Sequence, residues 1–209
     1  MVHIYYHIYA IEGVEEIIDE QLSLIEKHFD FPYILNVGIS IAENNISTEF
    51  ILEKIKLNLR DIRSKGNEWT TLDLIRNDAE KFGDSDYILY IHTKGASRQN
   101  DGRYENIKSW RHLMNYFNIE KVKNVFQLFE KTEFNTYGVL LKGYFYSGNF
   151  WWAKGNYLKT INLENKKLNR YGAEVEFIQN GKDWKPYSPY NSVNDDDYGT
   201  YFKKEEYTK

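Results

Sequence analysis

The run Tyr87-Ile88-Leu89-Tyr90-Ile91 constrains this chain more than any other segment. An apolar stretch that lacks the in–out alternation of a half-exposed strand belongs inside a parallel sheet covered on both faces. Parallel strands need crossover connections, usually helical, so the preceding sequence should alternate strand and helix. It does. Val2 to Ile11 is β-branched and aromatic and reads as a first strand, ended by Glu12-Gly13. Val14, Ile17, Ile18, Leu22, Ile25 and Phe29 then recur at helical spacing, Pro32 closes that helix, and Tyr33 to Ile39 reads as a second strand. Ser47 or Thr48 is placed to cap a helix carrying Phe50, Ile51, Ile55 and Leu59. Thr70 and Thr71 precede another amphipathic helix with Leu72, Ile75, Ala79 and Phe82, stopped by Gly83-Asp84. The pattern predicts an α/β fold with a mixed, mostly parallel sheet flanked by helices.

After a polar loop from His92 to Tyr104, a long helical pattern carries Trp110, Leu113, Met114 and Phe117, then Val122, Val125, Phe126 and Phe129. Tyr137 to Leu141 reads as a strand, Phe145 to Ala153 as a turn and strand, and Tyr157 to Ile161 and Arg170 to Ile178 as short helices. From Asn180 the chain is rich in Asn, Asp, Tyr, Pro and Lys. The expected organisation is one domain over residues 1–180 and an irregular C-terminal tail over 181–209, without internal repeats. A length of 209 residues suits one domain, and 42% hydrophobic residues are enough for a core.

Composition excludes several function classes. There are no cysteines, hence no disulfides or thiolate metal sites. No apolar run approaches the roughly 20 residues of a membrane span, and the N-terminus lacks the basic start of a signal peptide. The expectation is a cytoplasmic protein, in the host cytoplasm if the source is viral. The net charge of -4 disfavours nucleic acid held by bulk electrostatics, while leaving a locally gripped nucleic-acid acceptor open.

Three segments carry polar groups fit for chemistry. The apolar run ends in His92-Thr93-Lys94-Gly95. Ligands of open α/β sheets bind beyond the carboxyl ends of strands. There Lys94 suits a diphosphate as a point charge, Gly95 lets backbone N–H groups approach phosphate oxygens, and His92 suits a phosphate, a metal or a sugar hydroxyl. The second segment is Tyr146-Ser147-Gly148-Asn149-Phe150-Trp151-Trp152-Ala153. Adjacent strand residues face opposite sides, so one Trp can enter the core while the other reaches a cleft beside small polar groups. The third is Arg170-Tyr171-Gly172-Ala173-Glu174-Val175-Glu176. Glu174 and Glu176 do not share a helical face, so one of them at most points into a site, where a carboxylate suits a general base.

The blocks YILYIHTKGAS, SWRHLMNYF, YSGNFWWAKGNYL and RYGAEVEFI, in this order, resemble small GT-A-like glycosyltransferases of microbial and viral genomes, and also rhamnan-synthesis-type sugar transferases. The resemblance covers roughly residues 1–180. It implies a Rossmann-related GT-A-like domain, a nucleotide-sugar donor, transfer of a hexosyl or pentosyl group, and an acceptor that is a carbohydrate, a protein or a modified nucleic acid, with inversion favoured. It further implies that Tyr9, Ala10 and Glu12 line the base pocket. Glu68, Thr70 and Thr71 would lie near the ribose, Lys94 with His92 would neutralise the diphosphate alongside Thr93 and Gly95, and Arg111 would clamp a phosphate or brace the His92 loop. Ser147, Gly148, Asn149 and Trp151 would meet donor or acceptor sugar, and Glu174, with Glu176 behind it, would be the base. Most relatives carry Asp-X-Asp for a divalent metal where this chain has His92-Thr93-Lys94, so Mn or Mg dependence is disfavoured.

Two rival classes remain at this stage. One is a nucleotide-sugar or carbohydrate-binding module without turnover. The other is a metal enzyme built on His92 with Asp195, Asp196 and Asp197, whose spacing matches no metal motif.

Overall fold

The computed structural model describes residues 1–42, 49–55, 58–163 and 169–208. Its elements in chain order are β1 (Val2–Ala10), α1 (Glu15–His28), β2 (Tyr33–Ile41), α2 (Glu49–Ile55), β3 (Leu59–Ser64), α3 (Trp69–Asp78), β4 (Tyr87–His92), α4 (Tyr104–Asn115), α5 (Val122–Lys131), β5 (Thr136–Gly138), β6 (Trp151–Lys154), α6 (Gly155–Leu158), α7 (Arg170–Val175), β7 (Pro186–Tyr187) and α8 (Lys204–Tyr207). They build one 7-stranded sheet in the order β3-β2-β1-β4-β6-β5-β7. The first four strands by sequence run parallel. β6 is antiparallel to both β4 and β5, and β7 lies parallel to β5. This is the expected α/β fold, a mixed and mostly parallel sheet flanked by helices.

Burial follows the sequence pattern. β1 and β4 are nearly continuous apolar strands and lie side by side in the middle of the sheet, covered on both faces. One face packs α1, α2, α4 and α5 around Trp152, and the other packs α3, α6 and α7 around Trp151. The adjacent tryptophans do face opposite ways, but both are 0% exposed, so neither reaches open cleft. α1 starts with Glu15 and Glu16 and ends with Lys27 and His28, which complements the helix dipole.

The structure departs from the sequence reading in a few places. Leu59 opens β3 instead of extending α2. β3 is an edge strand whose positions alternate between half-buried and exposed, so its Arg60, Asp61, Ile62 and Arg63 lack a strand's usual apolar run. Phe82 lies past α3, which ends in a 3-10 turn over Ala79–Lys81. The candidate caps Ser47 and Thr48 lie outside the described residues. The segment expected to be an irregular tail adds β7 to the sheet and buries Asp197, Phe202 and Tyr207. Burial of Phe202 alone stabilises the packed segment by about 1.5–3 kcal/mol.

Candidate functional site

β4 ends at His92, opposite His7 of β1 in the parallel register, and β1 continues to Ala10. The chain leaving β4 is fastened at each step. His92 Nε2 lies 2.9 Å from Gly148 O, and since a carbonyl only accepts, this nitrogen carries the hydrogen. Thr93 Oγ1 accepts from Tyr9 N at 2.9 Å. Gly95 has φ 91, and a Cβ there would sit 3.0 Å from Ile107 Cγ2 and 3.3 Å from Arg111 Nη1. Arg111, 2% exposed, donates from Nη1 to Lys94 O at 2.9 Å and from Nε and Nη2 to the two Glu20 oxygens at 3.2 and 3.0 Å. Burial pushes the Glu20 carboxyl up, but hydrogen bonds and charge from His112 and Arg111 outweigh it and hold the pKa at about 2. Arg111 therefore braces the loop, and its donors are directed at protein acceptors.

Lys94 is treated differently. The residue is 8% exposed and its Nζ lies 3.9 Å from the Trp110 ring centroid and 5.2 Å from that of Tyr198. Among the described residues its ammonium has no hydrogen-bond acceptor and no carboxylate partner. Trp110 Nε1 is shielded and without a hydrogen bond among the described residues. Tyr198 meets Trp110 edge-on at 5.1 Å, and Asn106 Nδ2 donates to Tyr198 O and Gly199 O at 3.5 and 3.1 Å. Beside it, buried Asp197 has its Oδ1 3.5 Å from Lys142 Nζ.

The facing wall is the turn before β6. Gly148 has φ 89, and a Cβ would meet Met114 Sδ at 2.5 Å, so only glycine fits. Asn149 follows at φ 56, a conformation Asn tolerates better than most residues. Gly148 N donates to Glu174 Oε1 at 2.9 Å while Gly148 O takes the His92 bond. Asn149 Nδ2 donates to Glu68 Oε2 at 2.6 Å and to Ala173 O at 3.3 Å, and its Oδ1 accepts from Trp151 Nε1 at 2.9 Å. Tyr90 OH donates to the same Glu68 oxygen at 3.1 Å. Burial, reinforced by Glu68, raises the Tyr90 pKa far above its ordinary value and keeps it a neutral donor. Burial also lowers His7 to about 3, so the ring is neutral at physiological pH, with Nδ1 3.0 Å from Thr71 Oγ1. Two carboxylates, Glu68 before α3 and Glu174 on α7, thus grip one tight turn at the C-terminal edge of the sheet.

The sequence profile of the Domain of unknown function (DUF8361) matches residues 5–182. The chain belongs to the DUF8361 family. No curated protein matches. Among solved structures the chain is similar to a cytidylyltransferase from Leptospira borgpetersenii serovar Hardjo-bovis (strain JB197), with a TM-score of 0.50 and 14% identity over 93% of this chain and 77% of that one. At that identity the likeness establishes the fold. The DUF8361 span contains the His92–Gly95 loop, Arg111, the 147–149 turn and Glu174, while Tyr198, whose ring meets Lys94, comes from beyond it.

Of the residues singled out from sequence, Glu68, His92, Thr93, Lys94, Gly95, Arg111, Ser147, Gly148, Asn149 and Glu174 gather at these strand ends. Ala10, Thr70, Thr71 and Trp151 are fully enclosed and form the floor; Trp151 reaches the site only by holding Asn149. Tyr9 is half-buried at the end of β1, and exposed Glu12 meets the loop through its carbonyl, which accepts from Gln99 Nε2 at 3.2 Å. Glu176 lies just past α7 with Oε2 shielded and without a hydrogen bond among the described residues. Asp195, Asp196 and Asp197 do not gather with His92, and no three His, Asp or Glu side chains converge as metal ligands among the described residues. Sequence reasoning missed Glu20, Tyr90 and Tyr198. Tyr90 sat in a run read as core, and Tyr198 in a polar stretch with no periodicity. A cavity of about 600 Å³ between α1, α4 and the C-terminal segment, lined by Glu20, His112, Tyr116, Tyr201 and Tyr207 among others, adjoins the Arg111 brace through Glu20 and His112. Among the described residues no helix is long and apolar enough to cross a membrane.

Proposed function

We propose that this protein is a glycosyltransferase that moves a sugar from a nucleotide-sugar donor to an acceptor hydroxyl with inversion at the anomeric carbon. One observation carries the reading: at the end of the central parallel strand, the Lys94 ammonium is nearly buried with only aromatic rings around it. An ammonium has three donors, and ring contact contributes about 0.5–2 kcal/mol without satisfying them. An anion at this place would complete the coordination, and a diphosphate suits both the charge and the position beyond a parallel strand. The coarser part of the reading, a transferase working on a nucleotide-derived substrate, is supported by the likeness to a cytidylyltransferase. The finer part rests on the resemblance of four sequence blocks to GT-A-like enzymes.

In this reading Glu174 is the base. As the acceptor oxygen bonds to the anomeric carbon, its proton passes to Glu174, the carbon–phosphate oxygen bond breaks, and the nucleoside diphosphate departs toward Lys94. His92 and Glu68 position the Gly148-Asn149 turn. Most of the GT-A-like enzymes that the sequence blocks resemble carry Asp-X-Asp for a divalent cation at this position. This loop offers a hydrogen-bonded imidazole, a hydroxyl bonded to Tyr9 N and an ammonium, a donor set that does not fit such a cation.

The test is calorimetric titration with UDP-, GDP- and CDP-sugars, combined with an assay for released sugar. The expected result is binding with slow donor hydrolysis, and at least a roughly hundredfold loss of turnover in Glu174→Gln with donor affinity kept. Binding without turnover would make the protein a binding module. Consumption of CTP and a sugar phosphate with release of pyrophosphate would make it a nucleotidyltransferase. Either outcome overturns the proposal.

A further inference from the structure

Lys94, Trp110 and Tyr198 meet at one corner but differ in exposure. Trp110 is buried and Lys94 is 8% exposed, whereas Tyr198 is 39% exposed. With its ring 5.2 Å from Lys94 Nζ, Tyr198 is the outermost of the three and stands between the ammonium and solvent. Tyr198 belongs to a stretch without helix or strand that is tied at both ends. At one end Leu140 N donates to Tyr190 O and Leu141 N to Asn191 Oδ1. At the other, Phe202 is buried and its N donates to Ser109 Oγ.

Between these ties the grip is slight. Among the described residues, no backbone–backbone hydrogen bond joins residues 192–201 to the rest of the protein. Polar groups of the stretch bond to one another, as Gly199 N does to Asp196 Oδ1 at 2.9 Å and Thr200 Oγ1 to Asp196 O at 2.7 Å. The links outward run through side chains. Asn106 Nδ2 donates to Tyr198 O and Gly199 O, and Lys142 Nζ donates to Asn194 O at 2.8 Å and faces Asp197 Oδ1 at 3.5 Å. This last contact is poor, because Asp197 is buried and its Oδ1 makes no hydrogen bond among the described residues. A buried carboxylate is costly unless a close cation and hydrogen bonds replace water. Val193 is fully exposed and packs on nothing. A surface loop tied at its ends and weakly held in between opens at low free energy.

We propose that residues 192–200 form a gate, shut by Tyr198 against Lys94 and latched by Lys142 on Asp197 and Asn194. Swinging out on its ties at Asn191 and Phe202, the gate uncovers the ammonium for an anion and lets the Asp197 carboxylate hydrate. This accounts for how a lysine so little exposed is reached at all. The nature of the entering anion rests on the reading of Lys94 above, and the motion of the loop does not.

The chain has no cysteine, so a single introduced thiol reacts alone. Lys94→Cys is treated with iodoacetamide, by itself and combined with Lys142→Met, which removes the cation facing Asp197 and keeps Trp110 and Tyr198 in place. Thermal unfolding confirms that each variant folds. The folded single variant should label at least about a hundredfold more slowly than the same chain in denaturant, and adding Lys142→Met should speed labelling about tenfold by raising the open population. Labelling at the denatured rate, or equal rates with and without Lys142→Met, overturns the gate. UDP is then titrated into the cysteine-free chain, Lys142→Met and Lys94→Met. Lys142→Met should tighten binding by about threefold or more because a larger fraction is competent, and Lys94→Met should weaken it at least about tenfold. Binding that requires Lys94 while labelling shows no gating sinks the gate alone. Gated labelling without any UDP binding leaves the gate standing and sinks the anion reading.

Discussion

Arg111 and Lys94 are the two basic side chains buried at the end of β4, and their surroundings are opposite. Arg111 is paired with a carboxylate and a carbonyl through three of its donors. Lys94 has rings and no acceptor. Burying a charge is tolerable when hydrogen bonds replace water, so the Arg111 corner is closed and belongs to the architecture. The Lys94 corner lacks such bonds among the described residues, which is what the proposed anion would supply. Burial by itself does not separate scaffold from site; the completeness of hydrogen bonding around the buried group does.

The comparison breaks most visibly at Arg111. Arg111→Met strands Glu20 and frees the Lys94 carbonyl, and should destabilise the protein by about 3–5 kcal/mol, toward the lower end because Glu20 is partly solvated. Chemical denaturation measures it, and a loss under about 1 kcal/mol would show that the corner is not architectural. Acid should probe the same corner almost as strongly. Glu20 has a folded pKa of about 2 against an ordinary 4.5, so its contribution is fully present above pH 4.5 and disappears as pH falls toward 2. The difference amounts to about 3 kcal/mol. His7, held down to about 3 by burial, takes up a proton on unfolding below its ordinary 6.5, so stability should already decline between pH 6.5 and 4.5. Stability curves from pH 7 to 3 that are flat to pH 4.5 would contradict the neutral, buried His7.

The Lys94 corner should respond in the other way. Lys94→Met should change stability by no more than about 1 kcal/mol, yet weaken nucleotide-sugar binding by about 1.5–3 kcal/mol, tenfold or more. Loss of stability with unchanged affinity would make Lys94 a second Arg111. The smallest effect belongs to Tyr198. Removing its ring in Tyr198→Ala should cost about 0.5–1 kcal/mol of stability at this half-exposed contact, and Tyr198→Phe nearly nothing, because the ring face and not the hydroxyl meets the ammonium.

The parallel half of the fold was legible because burial on both faces writes itself into sequence as unbroken apolar runs, as in β1 and β4, separated by helices of clear period. β3 was not, since an edge strand with Arg60, Asp61 and Arg63 has no such run. The His92–Gly95 loop and the 147–149 turn stood out through residue types that suit strand ends and tight turns. What those residues touch was hidden: Trp151 read as a cleft residue and is instead the donor that fixes Asn149, and nothing in the spacing of Arg111 distinguishes bracing Lys94 O from holding a phosphate. The role of Tyr198 depends on contacts with Lys94, Trp110 and Asn106, all roughly a hundred residues earlier, which local pattern does not encode.

That separation in sequence sets an order of events during synthesis. β1 through β4 and the brace made by Glu20 and Arg111 are complete in the chain long before residue 198 is added. A nascent protein therefore owns its sheet and its Lys94 ammonium before it owns the second ring that meets that ammonium. Until Tyr198 is joined, the Lys94 ammonium has one aromatic neighbour instead of two. The arrival of Tyr198, and not the formation of the sheet, is the moment at which this corner acquires its second ring.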